Sequence, residues 1–138
     1  MADGFALALQ KGLRAAIVAD ADVVALISTR MYDEPPQNVT FPYARFMGIE
    51  PLAFDTDTTE GAEVSVVIEC HSRSASGRVE AVQIAEAIKT ALHRKETSVT
   101  VTDHTLVELI FETYSVTRDA EGRGYTAVIS LQAMLEAA

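Results

Sequence analysis

The feature that most limits the fold is a change of period inside residues 61–92. The first half, Val64-Ser65-Val66-Val67-Ile68-Glu69-Cys70-His71, is rich in β-branched residues. Val64, Val66, Ile68 and Cys70 fall on one face of a period-two strand. After a small polar break over residues 72–77, the apolar positions become Ala81, Ile84, Ala85, Ile88 and Leu92. That spacing is one stripe of a helix, with Glu80, Gln83, Glu86, Lys89 and Thr90 mostly off it. Gly77 stands where a helix cap is expected, and Glu80 follows three residues on. A half-buried strand followed by a half-buried helix predicts a helix laid over a sheet. Alanines on the stripe permit close approach, so this helix is expected at the centre of the core.

The remaining segments follow the same logic. Phe5, Leu9, Leu13, Ala16 and Ile17 predict a first helix capped by Asp3. Gly12 sits inside it at a cost of about 1 kcal/mol relative to Ala. Asp20-Ala21-Asp22 breaks that helix, and Asp22 is expected to cap a second one over Val23 to Ile27. Residues 28–32 form a short strand. Residues 33–38 form a loop, because Pro35 and Pro36 withdraw two backbone donors. Phe41 to Ile49 reads as a strand that Pro42 admits only at its start or edge, and that Pro51 ends. Beyond the central helix, His93, Arg94 and Lys95 place cations at its negative end. Val99 to Thr102 is expected as a short strand, and Leu106 to Thr117 as a long one. In the long strand Val107, Leu109 and Phe111 share a face, opposite Glu108, Ile110 and Glu112. A loop over 118–124, with Gly122 and Gly124 expected at positive φ, joins it to a last strand. There Tyr125, Ala127, Ile129, Leu131 and Ala133 alternate. The order predicts an α+β fold: an antiparallel β-sheet with helices packed mainly on one face. A length of 138 residues suits one domain, residues 1–138, and 49% hydrophobic content can supply its core.

The chemistry is mostly negative. A net charge of −9 makes the chain a poor general binder of nucleic acid, which needs clustered Lys and Arg. No apolar run approaches a membrane span, and Met1 to Gly4 shows no secretion signal. Cys70 has no partner for an internal disulfide; it reads as a small buried hydrophobe and fits a reducing compartment. His71, His93 and His104 lack the spacing of a zinc motif. Glu69, Cys70 and His71 are strand neighbours and point to opposite sides. Residues 74–77 read as a helix cap rather than a phosphate cradle. Asp55, Asp57 and Glu60 lack the Gly and the terminal Glu of a calcium loop. Glu108 and Glu112, with Glu69 beside them, read as an exposed sheet face or a subunit contact rather than an acid–base pair. No catalytic, cofactor or metal residue is assigned. The alternative, a small cytosolic enzyme or ligand-binding domain, requires Glu69, Glu108, Glu112 or His71 to line a pocket.

The linear order of landmarks adds a resemblance. The opening helix runs into Ala19-Asp20-Ala21-Asp22-Val23-Val24-Ala25-Leu26. Then come Arg30-Met31-Tyr32, Pro35-Pro36 and Phe41-Pro42-Tyr43. Gly61-Ala62-Glu63-Val64 leads to His71-Ser72-Arg73, and Gly77-Arg78-Val79-Glu80-Ala81 leads to Ala91-Leu92-His93. Phe111-Glu112, Arg118-Asp119 and Gly122 close the series. In order and spacing this resembles the DUF3168 group of phage tail-completion proteins, the gp17-like tail terminators of siphophages, prophages and gene transfer agents. The resemblance implies a ring, a hexamer, that caps the tail tube and joins it to the head–tail connector or stopper protein. It implies no catalysis and no cofactor, and DNA passing through the lumen without specific binding. It implies no membrane, a place in the virion tail at the head–tail junction, and the host cytoplasm before assembly. Two segments are candidate subunit or partner contacts: the loop with Pro35, Pro36, Phe41 and Tyr43, and the hairpin with Arg118, Arg123 and Tyr125.

Overall fold

The computed structural model describes residues 4–53, 60–73, 78–119 and 124–137. Its elements are α1 (Phe5–Ala19), α2 (Ala21–Ile27), β1 (Met31–Tyr32), β2 (Tyr43–Ala53), β3 (Gly61–Ser72), α3 (Val79–Leu92), β4 (His104–Arg118) and β5 (Tyr125–Ala137). The fold is α+β. The five strands lie in the order β1-β2-β3-β5-β4. All neighbours are antiparallel except the two-residue β1, which runs parallel to β2, so the sheet is mixed rather than wholly antiparallel.

The change of period builds the centre as expected. Val64, Val66, Ile68 and Cys70 of β3 are fully buried, and so are Ala81, Ile84, Ala85, Ile88 and Leu92 of α3. Ala127, Ile129, Leu131, Ala133 and Leu135 of β5 complete the layer, and Leu9, Leu13 and Ile17 of α1 join the same cluster. Each buried Val, Leu or Ile among them contributes roughly 1.5–3 kcal/mol by leaving water. The alternate residues of β3, from Glu63 to His71, occupy the other face and are exposed or half-buried. No helix among the described residues is long and apolar enough to cross a membrane.

Several local expectations fail for definite reasons. Asp20, not Asp22, caps α2, because its carboxylate accepts the N–H groups of Asp22 and Val23. Pro51 does not end β2; it pairs with Val64 inside the strand. Since β1 flanks β2 only at Ala44 and Arg45, Pro51 lies on an edge, where a missing donor is tolerated. Val99 and Val101 are buried in an irregular segment, not a strand. Val107 is exposed because β4 bulges between Leu106 and Glu108, which breaks the alternation before Leu109. Gly12 is a packing residue: a Cβ there would collide with the Thr100 carbonyl oxygen. His93 is the C-cap of α3, and its Nδ1 accepts the Phe111 N–H at 3.0 Å, which ties the helix end to β4. Asp3, Gly77, Gly122 and Arg123, and the acidic loop with Asp55 and Asp57, lie outside the described residues.

Candidate interface

The strand register brings the two candidate segments together. Tyr43 faces His71, His71 faces Thr126, and Thr126 faces Thr117 across the sheet. One step further out, Ser72 faces Tyr125, which faces Arg118. The proline loop and the β4–β5 hairpin therefore share one end of the sheet, joined by the end of β3. Sequence spacing alone gave no sign of this.

Tyr43 is the hub. Its ring stacks on His71 at 4.9 Å and meets Phe41 edge-on at 5.1 Å, with Tyr32 at 6.1 Å. The Arg73 guanidinium covers the Phe41 ring at 4.1 Å, and Arg78 stands 5.8 Å from the Tyr125 ring. Both contacts fit the attraction of a cation to an aromatic face. Only 9% of Tyr43 is exposed, whereas Phe41, Pro35 and Tyr125 are half-buried and Pro36 and Arg118 are exposed. Tyr43 is thus the buried support of this surface. Burial lifts its phenol above the ordinary tyrosine value; Glu69 and Asp119 add to the rise, and Arg45 and Arg73 oppose it.

A polar chain runs beside the rings. Arg45 Nε lies 3.5 Å from Glu69 Oε1, and His71 Nε2 lies 3.4 Å from the same oxygen. The Thr126 hydroxyl donates to Asp119 Oδ1 at 2.7 Å, and its oxygen stands 3.3 Å from His71 Nδ1. Because that hydroxyl spends its proton on Asp119, it can only accept from His71. The Ser72 hydroxyl donates to Glu80 Oε1 at 2.6 Å and ties β3 to the first turn of α3. Gly124 leaves room for this crossing: a Cβ there would sit 2.5 Å from the Ser72 carbonyl oxygen. Its role is close approach and not positive φ. From behind, α1 holds the loop through Arg14 Nε on the Met31 carbonyl at 3.0 Å and Gln10 on Asp33 at 3.0 Å. Arg30 Nε adds a bond to the Pro42 carbonyl at 2.8 Å.

The carboxylates considered for acid–base chemistry do not converge. Glu69 and His71 belong to this end, while Glu108 lies level with Met134 in the other half of the sheet and pairs with Arg94 at 3.4 Å. Glu112 is exposed between them. An open hollow of about 440 Å³ does touch the candidate loop, but Asp33, Glu34, Pro35, Pro36, Tyr43 and Arg45 line it instead. Burial drives the Cys70 thiol far above its usual range, as suits a core residue. Among the described residues no three His, Cys, Asp or Glu side chains gather as a metal ion requires.

The family model for tail completion protein gp17 matches residues 11–136. The chain belongs to that family. Family membership makes it a structural component of a phage-like tail. The fold is shared with a chain from the virion of a native gene transfer agent particle, at TM-score 0.85 and 24% identity. That likeness covers 96% of this chain and 99% of the other. No curated protein sequence matches this tail completion protein.

Proposed function

We propose that this chain, as a single domain, is a tail terminator that closes into a ring, a hexamer, on the end of a tail tube. The ring caps the tube and joins it to the head–tail connector or stopper protein, at the head–tail junction of the virion. Before assembly it resides in the host cytoplasm. It performs no catalysis and uses no cofactor; its surfaces are its function. The observation that carries this reading is the family match over residues 11–136, and the fold of a virion chain supports it. The contacts are the candidate residues Pro35, Pro36, Phe41, Tyr43, Arg118, Arg123 and Tyr125. The net charge of −9 suits a lumen that repels DNA and lets it slide without gripping it.

The test is electron microscopy of polymerising tail tube protein with and without this chain. The expected result is tubes of arrested length carrying one extra ring of density at a single end. Tubes that elongate unchanged and bind none of the protein would overturn the proposal.

A further inference from the structure

The four long strands carry two cations, Arg45 and Arg118, and both lie in the half of the sheet that holds Tyr43. Arg73 and Arg78 flank the same end. The opposite end carries Glu50, Glu63 and Glu136 on β2, β3 and β5, with no Lys or Arg in those strand halves. Glu50 and Glu136 are exposed. Beside them Leu52 is 68% exposed, and an open hollow is lined by Phe5, Pro51, Ala53 and Ala62 together with Glu60. One end therefore offers cations lying on aromatic rings. The other offers carboxylates around exposed apolar surface. The arginine end also holds Glu69, Glu80 and Asp119, tied to Arg45, Ser72 and Thr126, but its exposed Arg73, Arg78 and Arg118 complement the exposed Glu50 and Glu136 of the other end, and both ends carry apolar surface.

We infer that the arginine end of one copy seats against the glutamate end of the next, head to tail. This rests on the ring reading above and says which surfaces close the ring. A ring needs two different, mutually complementary patches on each subunit, because a patch that pairs with itself stops at a dimer. The two ends of this sheet are such a pair. Guanidinium groups on rings bring apolar area and charge together, which suits seating beside Leu52 among the glutamates.

Two double variants test it: Arg73→Glu with Arg118→Glu, and Glu50→Lys with Glu136→Lys. The first turns two exposed cations of the arginine end into carboxylates, and the second turns two exposed carboxylates of the opposite end into cations. Circular dichroism and thermal melts establish that each folds, and native mass spectrometry reads assembly. Each variant alone is expected to associate roughly a hundredfold more weakly than wild type, because like charges face each other across the joint. An equal mixture of the two is expected to recover the ring, with the variants alternating around it. Either variant closing rings alone, or a mixture of folded variants that stays dispersed, overturns the inference and leaves the ring reading standing. A wild type that forms no ring, alone or on tubes, overturns both.

Discussion

The arginine end and the glutamate end are made by the same strands, yet they differ in how they are held. At the arginine end, an exposed cation is backed by a stack of rings that ends in the core. Arg73 lies on Phe41, Phe41 on Tyr43, and Tyr43 on His71. Asp119, Thr126, Ser72 and Glu80 tie the hairpin, β3 and α3 into that stack. At the glutamate end, Leu52 and Glu136 stand in solvent, and β2 has no described strand outside it from Phe46 to Ala53. One end is a preassembled surface; the other gains its contacts only from a partner. Side chains whose rotamers are already fixed lose less entropy on binding. The arginine end is therefore expected to be rigid in the free protein, and the glutamate end to be ordered by association.

The largest effect expected from breaking this contrast comes at its hub. Tyr43→Ala removes a ring that is 9% exposed and is expected to cost about 3 kcal/mol in urea unfolding. Leu52→Ala, at 68% exposure, is expected to stay within about 0.5 kcal/mol of wild type while weakening assembly. A stability loss at Leu52 equal to that at Tyr43 would erase the distinction between the ends. Next, Gly124→Ala pushes a Cβ against the Ser72 carbonyl and is expected to cost about 1–3 kcal/mol in the same assay.

A smaller effect appears in alkali. Burial raises the Tyr43 phenol in the folded chain, so the unfolded chain loses its proton first. The stability contributed is complete below about pH 10 and is lost as pH rises through the raised folded value. Urea midpoints measured across alkaline pH should fall for wild type and fall less for Tyr43→Phe. The remaining fall includes Tyr114, whose phenol is also raised, by desolvation and by Glu86. The smallest signal is a null one: Cys70 is fully buried and should resist thiol reagents until the protein unfolds.

The contrast between the ends also marks where the sequence was legible. Periodicity reports which face of an element is buried, so β3, α3 and β5 were readable from Val64 to Cys70, Ala81 to Leu92, and Ala127 to Ala133. It does not report what packs across the chain. Gly12 reads as a weak helix residue until the Thr100 carbonyl is beside it. Val107 reads as core until a bulge turns it outward. The candidate contacts were legible as residue types, because Pro35 and Pro36 withdraw two backbone donors and Pro42 confines its strand to a start or an edge, which is where Tyr43 begins β2. Their meeting with Arg118 and Tyr125 depends on the order β2-β3-β5-β4, and that order is a property of strand pairing and not of local pattern. Arg73 and Arg78 were missed as part of the surface. The signal available was their position on either side of the polar break, close to the aromatic segments only after folding.

Hydrogen–deuterium exchange of the free protein against the tube-bound ring tests the central claim most directly. The account expects residues 50–53, on the open edge of β2, to exchange quickly when free and to become protected in the ring, and residues 62–63 and 134–136, paired on both sides, to be slow already and to slow further. Residues 41–45 and 117–119 are expected to be slow already and to slow further, and the helices to change little. Protection confined to α1 and α2, with both ends of the sheet unchanged, would contradict it.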